Sequence, residues 1–255
     1  MKKYILESCV DSVESALAAA KGGADRLELC ANLIIGGTMP SPALFEEIRK
    51  VSTIRMHALI RPRFGDFCYT DYEFAIIRRE VAMYREMGAE GVVIGCLNPD
   101  GSLNMEQMET LMKEAGGMSV TLHRAFDVCR DPFEALDQAK KLGIHTILTS
   151  GQKNSASAGR ELLKELTERA GDGIDIMAGG GVNAQVIREL APCTGVHVFH
   201  MSGKITLDSR MEYRREGVNM GLPSLSEFEI WRTKAEISGL PEKFWTVCKV
   251  CGGIL

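Results

Sequence analysis

The feature that most constrains this fold is a repeat: a short apolar strand followed by an amphipathic helix recurs about every 25 residues. The predicted strands cover residues 3–9, 26–30, 55–60, 91–97, 118–124, 144–149, 174–178 and 195–201. The predicted helices cover residues 13–21, 43–50, 71–87, a stretch ending at 115, 132–142, 158–170 and 183–190. Eight such units predict an α/β fold with a single, closed (β/α)8 barrel of the TIM type. An open doubly wound sheet is the alternative, but it more often carries a GxGxxG motif after its first strand, and this chain lacks one.

The repeat weakens after residue 203. We therefore predict a barrel core over residues 1–203 and a C-terminal extension over 204–255 that completes the outer helices or forms subunit contacts. Within the extension, residues 223–240 are the candidate for the eighth outer helix. Phe244 and Trp245 indicate a packing tail or a contact with another subunit.

Charge and cysteine use limit the kinds of partner. The net charge of −4 and the lack of a polybasic run argue against nucleic acid and membrane surfaces. No signal region or bilayer-spanning apolar run is visible, and eight scattered cysteines fit free thiols, so we expect a cytoplasmic protein. Cys248 and Cys251 form a lone CxxC; without a second ligand pair it favours ordinary thiols over a zinc or redox site.

The second strand predicts which side chains enter the barrel. Side chains alternate along a strand, so Leu27 and Leu29 share one face and Arg26, Glu28 and Cys30 share the other. The leucines should face the helices. The charged residues and the thiol are therefore expected inside.

The first strand repeats the pattern, with Leu6 facing outward and Glu7 and Cys9 facing inward. A Glu-x-Cys motif thus occurs twice, at residues 7–9 and 28–30, on strands that should be neighbours. Neighbouring strands lie about 4.8 Å apart. Equivalent positions would bring both thiols onto one ion.

The fifth strand ends in a polar cluster, where His123, Arg124 and Asp127 precede a helix start at Asp131-Pro132. Barrel enzymes carry their chemistry at the carboxyl ends of the strands. The cluster therefore predicts part of an active site. The alternative is a solvated turn with one structural ion pair.

Other strand ends predict an anion site on the same face. Arg61 and Arg63 are spaced to point the same way, and guanidinium pairs suit carboxylate or phosphate. Glycines that open a helix after the seventh strand resemble the phosphate site of such barrels. The full set of predicted anion-binding or substrate-binding residues is Glu7, Arg61, Arg63, Arg124, Ser150, Gly179, Gly180, Gly181, His200 and Ser202.

These residues support an enzyme that acts on a small anionic metabolite. Glu28 or His123 would serve as general base or acid, and Asp127 would orient Arg124 or the imidazole. The structural alternative is a scaffold whose mouth is filled by its own ion pairs. In that case Arg26, Arg61 and Arg63 would partner Glu7, Glu28 and Asp66.

The motifs together resemble one known family. They are ESCVDSVESA at 7–16, GGADRLELCANL at 22–33, GGTMPS at 36–41, IRPRFGDFCY at 60–69, LHRAFD at 122–127, ILTSGQ at 147–152 and GGGV at 179–182. This series is similar to the CutC copper-homeostasis family, which is unrelated to the glycyl-radical choline lyase of the same name.

The resemblance implies a cytoplasmic barrel that self-associates, as a dimer or tetramer, and is linked to copper tolerance. In some members Cu(I) binds at positions that match Cys9 and Cys30, and both are cysteine here. Soft thiolates favour Cu(I), and Met201 or His200 could supply a further ligand. Two functions are therefore predicted side by side: copper binding by barrel cysteines, and an enzyme for a small anion.

Overall fold

The structure is a computed structural model, and it describes residues 3–222 and 225–234. Eight parallel strands close into a barrel in which β1 pairs with both β2 and β8. The strands are β1 Ile5–Val10, β2 Arg26–Leu29, β3 Arg55–Leu59, β4 Gly91–Ile94, β5 Ser119–Leu122, β6 Thr146–Thr149, β7 Asp175–Ala178 and β8 Val198–Met201. The predicted (β/α)8 barrel in a single domain is confirmed.

Seven α-helices follow the first seven strands within the described residues. They are α1 Val13–Lys21, α2 Pro42–Val51, α3 Asp71–Glu86, α4 Met105–Ala115, α5 Pro132–Leu142, α6 Arg160–Ala170 and α7 Ala184–Thr194. Asp131 caps α5 as its sequence predicts, accepting from the backbone N–H groups of Phe133 and Glu134. None of these helices is long and apolar enough to cross a membrane.

The main core lies between the barrel and its helices. Leu6, Leu27 and Leu29 are buried there, on the outer face of β1 and β2, as their alternation predicts. The opposite faces of these two strands therefore point into the barrel. This arrangement brings charged side chains and thiols to its interior.

The chain leaves the repeat after β8. Residues Lys204–Asp208 form β9 and residues Glu229–Thr233 form β10, and the two strands pair as an antiparallel ribbon. The helix predicted over 223–240 is therefore wrong for residues 229–233. The ribbon is fixed to α1, because the Thr233 backbone N–H donates to Ser15 Oγ at 3.1 Å. Phe244, Trp245, Cys248 and Cys251 lie outside the described residues.

Candidate functional site

A cavity of about 670 Å³ opens at the carboxyl ends of the barrel strands. Two parts of its wall carry seven of the predicted site residues. The thiol wall consists of Cys9, Glu28, Cys30 and His200, and the arginine wall consists of Arg61, His123 and Arg124. The scaffold alternative required a mouth filled by its own ion pairs, whereas this mouth retains a cavity of ligand size.

Glu7 supports the thiol wall without lining the cavity. It is fully buried, and its carboxylate accepts from Arg26 Nε at 2.5 Å and lies 2.8 Å from His200 Nδ1. Strand pairing sets these contacts, because Glu7 is the register partner of both Arg26 and His200. Burial alone would raise the pKa of Glu7, but Arg26 and His200 hold it well below its usual range. Glu7 is therefore an interior anion paired with two cations, and its predicted contact with a bound anion is wrong.

His200 is oriented by Glu7. Because the Glu7 carboxylate is ionised, His200 Nδ1–H donates to it, and Nε2 is left for the other neighbours. One ligand atom each from Cys9, Glu28 and His200 lie within 4.8 Å of one another. Burial alone would lower the pKa of His200, but Cys9, Glu28 and Glu7 raise it well above its usual value.

Cys9 and Cys30 both lie in the thiol wall, but not at equivalent positions. The register pairs Cys9 with Glu28, so the two Glu-x-Cys motifs are staggered by two residues. Closing a sheet into a barrel requires such a stagger. Cys30 donates its thiol to Glu28 Oε2 at 3.2 Å, and burial, followed by the nearby Glu28 charge, raises the Cys30 pKa well above its usual value. The prediction of equivalent positions for the two thiols is wrong, because the residue opposite Cys9 is Glu28, and the ligand group consists of Cys9, Glu28 and His200.

Arg61 is the buried cation of the arginine wall. Its Nη1 and Nη2 groups donate to three backbone carbonyls of Gly36, Gly37 and Gly65, and its guanidinium lies 4.9 Å from the Phe67 ring centroid. No carboxylate of the described residues forms an ion pair with Arg61, and its buried Nε has no hydrogen-bond partner among them. Leaving a buried donor without an acceptor lowers the stability of a fold by about 1–3 kcal/mol. Arg61 therefore favours an added acceptor.

His123 presents a second unpaired donor. It follows β5 directly, and its Nδ1 accepts from the backbone N–H of Ala125 at 3.2 Å. The proton of the neutral ring is therefore on Nε2, which is buried without a partner among the described residues. Burial, with help from the Arg61 charge, lowers the pKa of His123 to about 3. The imidazole is a neutral hydrogen-bond donor, and this geometry does not fit its predicted role as a general base.

Asp127 is an anchor for Arg124. Its carboxylate accepts from Arg124 Nε at 2.6 Å, Thr149 Oγ1 at 2.5 Å and the backbone N–H groups of Ser150 and Gln152 at 3.0 and 3.1 Å. Arg124 Nη2 also donates to Ser150 Oγ at 2.8 Å. Asp127 thus orients Arg124, one of the two predicted options, and no described contact joins it to the His123 ring. With its oxygens occupied, it has a positioning role and not a catalytic one.

Only part of the glycine loop after β7 borders the cavity. Gly180 and Gly181 line the cavity. Gly180 has a φ of +92°, and an added Cβ would stand 3.1 Å from Ser150 Cβ and 3.7 Å from Arg124 Cζ. Gly179 does not line the cavity: its N–H donates to the Thr149 carbonyl, and a Cβ there would stand 2.5 Å from Leu148. Two of the three predicted glycines therefore border the site.

Arg63 lies away from the cavity. It pairs with Glu73 at 2.6 Å and Asp66 at 3.0 Å, and it donates to backbone carbonyls of the loop before α3. The predicted anion clamp of Arg61 and Arg63 is wrong, because β3 ends at Leu59 and strand alternation no longer holds beyond it. Ser202 does reach the cavity, where its carbonyl accepts from Thr233 Oγ1.

His57 and the β9–β10 ribbon contribute to the site although neither is among the predicted site residues. His57 is buried in the barrel with Nδ1 at 3.9 Å from Glu7, and burial lowers its pKa to about 4. The alternation of inward His57 and Leu59 with outward Met56 and Ala58 was a usable signal. Lys204, Trp231 and Arg232 of the β9–β10 ribbon also line the cavity. Nothing in the strand–helix repeat predicts that contribution.

Glycines on β4 and just after it leave space for both buried imidazoles. A Cβ added to Gly91 would stand 2.6 Å from the His57 ring, and one added to Gly95 would stand 2.6 Å from the His123 ring. Real Cβ contacts are not this short. The two imidazoles therefore depend on glycine at these positions.

Comparison with known proteins places these features in a family. A family model described as the CutC family matches residues 4–205. A CutC family protein of Bacteroides fragilis is 48% identical over 231 residues, which cover 90% of this chain and 92% of the relative. One from Vibrio vulnificus is 43% identical over 229 residues, covering 89% and 92%. The solved CutC structure from Streptococcus agalactiae, provisionally named a copper homeostasis protein, has a TM-score of 0.75 at 31% identity and covers 78% of this chain and 98% of that one.

Proposed function

The chain belongs to the CutC family, and on that premise we propose that it binds copper(I) as cargo in the barrel mouth, at Cys9 and His200. The observation that carries the proposal is the orientation of His200. Its Nδ1 is held by Glu7 at 2.8 Å, while a nitrogen of its ring lies within 4.8 Å of Cys9 Sγ and a Glu28 oxygen.

The donor set suits a soft ion. Thiolate and imidazole are ligands that Cu(I) accepts, whereas a carboxylate is a hard ligand. Burial raises the pKa of Glu28, and its carboxyl oxygens are hard donors, so Cys9 and His200 are the better ligands for Cu(I). Glu7 would act as the outer carboxylate that fixes the orientation of a metal-bound histidine. Binding at His200 Nε2 displaces a proton from the imidazole.

Cys30 and Met201 are the sources of a further soft ligand. Both line the cavity and both are buried. Cys30 packs with Cys9 in one small apolar cluster, so it is the nearer candidate for a second thiolate. Its raised pKa means that copper must displace the thiol proton before Cys30 binds.

The cellular role we propose is the handling of Cu(I) in a reducing compartment, the cytoplasm. The name of the Streptococcus agalactiae relative supports a copper-homeostasis role. The six cysteines of the described residues are free thiols, as that compartment requires. Self-association stays a prediction from the family resemblance.

Competition between the protein and a Cu(I)-specific chelator, under anaerobic conditions, tests the proposal. Outer carboxylate partners contribute about 10–100-fold to metal affinity, so losing a ligand through Cys9→Ser or His200→Ala should cost on the order of 100-fold or more. Cys193→Ser is the matched control, because Cys193 is an exposed thiol on α7. Equal Cu(I) affinity in Cys9→Ser, Cys193→Ser and the wild type would overturn the proposal.

A further inference from the structure

We propose that the arginine wall binds the oxyanion group of a small organic molecule, a carboxylate or a phosphate, through Arg61, His123 and Arg124. None of these three residues belongs to the copper centre proposed above. The inference therefore goes beyond that function. A bound oxyanion of this kind is the ligand that an enzyme acting on a small anion would need.

The first support is the charge of Arg61. Only 8% of this residue is exposed, and within the described part of the chain its acceptors are carbonyl oxygens without net charge. A guanidinium away from water and without a carboxylate is an attractive position for an anion. Its buried Nε–H has no acceptor among the described residues.

The second support is the tautomer of His123. The Ala125 N–H occupies Nδ1, so the neutral ring has its proton on Nε2. That nitrogen is buried and has no partner among the residues described, and the side chain lines the same cavity as Arg61. The proximity of Arg61 and the burial of His123 keep the ring neutral. His123 is therefore an unpaired hydrogen-bond donor that adds no charge to the site.

The third support is the fixed orientation of Arg124. Asp127 and Ser150 hold its Nε and Nη2, and the side chain still lines the cavity. Gly180 lies beside the guanidinium, since a Cβ there would be in ordinary van der Waals contact with Arg124 Cζ at 3.7 Å. Arg124 is thus oriented before a ligand arrives, which lowers the entropy that binding costs.

The size and lining of the cavity indicate an organic ligand. A volume of about 670 Å³ lies in the range of small-molecule pockets, and a lone inorganic ion would fill only a small part of it. Apolar side chains also line it, among them Leu33, Leu59, Phe67 and Leu148. The ligand therefore has an oxyanion group on an organic body.

Titration of metal-free protein with inorganic phosphate and, separately, with succinate tests the inference by thermal shift and calorimetry. We expect at least one probe to bind the wild type, and Arg61→Gln and Arg124→Gln to weaken it by about tenfold or more, because each removes a charge-assisted contact. Arg63→Gln is the matched arginine control and should bind like the wild type, since Arg63 is paired outside the cavity. Preference for phosphate would assign a phosphate ester, and preference for succinate a carboxylate.

A second measurement keeps the test decisive if Arg61→Gln fails to fold. In protein with ¹⁵N-labelled histidine, the bound probe should shift the Nε2 resonance of His123 and leave that of His197, which pairs with Asp175, unchanged. Cys9→Ser should keep anion binding, so failure of the copper proposal and failure of this one are distinguishable. Binding of neither probe, or equal binding in Arg61→Gln and Arg63→Gln, would overturn the inference.

Discussion

The two walls of the cavity handle buried polar groups in opposite ways. The thiol wall rests on a network whose charges satisfy one another, because Glu7 pairs with Arg26 and with His200. In the arginine wall, Arg61 and His123 keep buried N–H groups without acceptors among the described residues. Both sets of side chains come from the carboxyl-terminal parts of strands or from the residues just after them.

The contrast separates an organised metal site from an open binding site. A paired network fixes the positions of its members, and this is what a metal ligand such as His200 requires. Donors without acceptors leave part of the free energy of hydrogen bonding to be gained when a ligand arrives. The two walls therefore predict different responses to mutation, pH and ligands.

Glu7→Gln should have the largest effect, because it removes the carboxylate shared by Arg26 and His200. Breaking a buried ion pair by removing one partner costs about 3–5 kcal/mol. Denaturant unfolding at neutral pH measures this loss in the free energy of unfolding. Glu86→Gln is the control, since that side chain is 73% exposed and its loss should cost less than about 0.5 kcal/mol. Similar stability of the two variants would contradict a self-paired thiol wall.

Alanine substitutions on β4 and just after it should disturb one wall at a time. The added methyl of Gly91→Ala would displace His57 near Glu7, and that of Gly95→Ala would displace His123. Overpacking of this kind costs about 1–3 kcal/mol of unfolding free energy. If both variants fold, Gly95→Ala should weaken anion binding more than Gly91→Ala does. Gly221→Ala is the control, because its Cβ meets no described atom within 4 Å. The opposite ranking of anion binding would sink the assignment of His123 to the arginine wall.

The smallest effect should be a loss of stability at acid pH that comes from the buried imidazoles of His57 and His123. The pKa of His123 is lowered to about 3 and that of His57 to about 4, so each stays neutral when folded while its unfolded form takes up a proton below about pH 6.5. Stability from these groups is therefore present above pH 6.5 and is lost as the pH falls. At pH 5.5 each of the two histidines should lower the free energy of unfolding by about 1.4 kcal/mol relative to pH 7.5.

His123→Gln isolates one of these contributions. The fall in unfolding free energy between pH 7.5 and 5.5 should be smaller in the variant than in the wild type by about 1.4 kcal/mol. His200 has a raised pKa and acts in the opposite direction, but it is common to both proteins and cancels in the difference. An unchanged pH dependence would mean that His123 is not a buried neutral ring.

The fold was predictable because its periodicity is local. Each strand alternates or is uniformly apolar, each helix follows with its own cap or glycine stop, and eight repeats have few arrangements other than a closed barrel. The β9–β10 ribbon was not predictable in the same way. A two-stranded ribbon is marginal by itself and depends on tertiary contacts such as that between Thr233 and Ser15.

The site was predictable only as far as strand alternation reaches. Alternation placed Glu7, Cys9, Glu28 and Cys30 inside the barrel, and the structure places all four there. Alternation within one strand contains no information about the stagger between neighbouring strands. The prediction that Cys9 and Cys30 occupy equivalent positions of β1 and β2 was therefore wrong. Alternation also fails past the last strand residue, which is why Arg61 reaches the cavity and Arg63 does not.

Crossed titrations of Cu(I) and of the anion probe that binds the wild type, inorganic phosphate or succinate, on Cys9→Ser and Arg61→Gln test most directly that the two walls are separate sites. We predict that Cys9→Ser loses Cu(I) binding and keeps binding of the anion probe. Arg61→Gln should show the reverse, with anion binding lost and Cu(I) binding kept. Loss of both ligands in a folded single variant, or of neither ligand in both variants, would contradict this prediction.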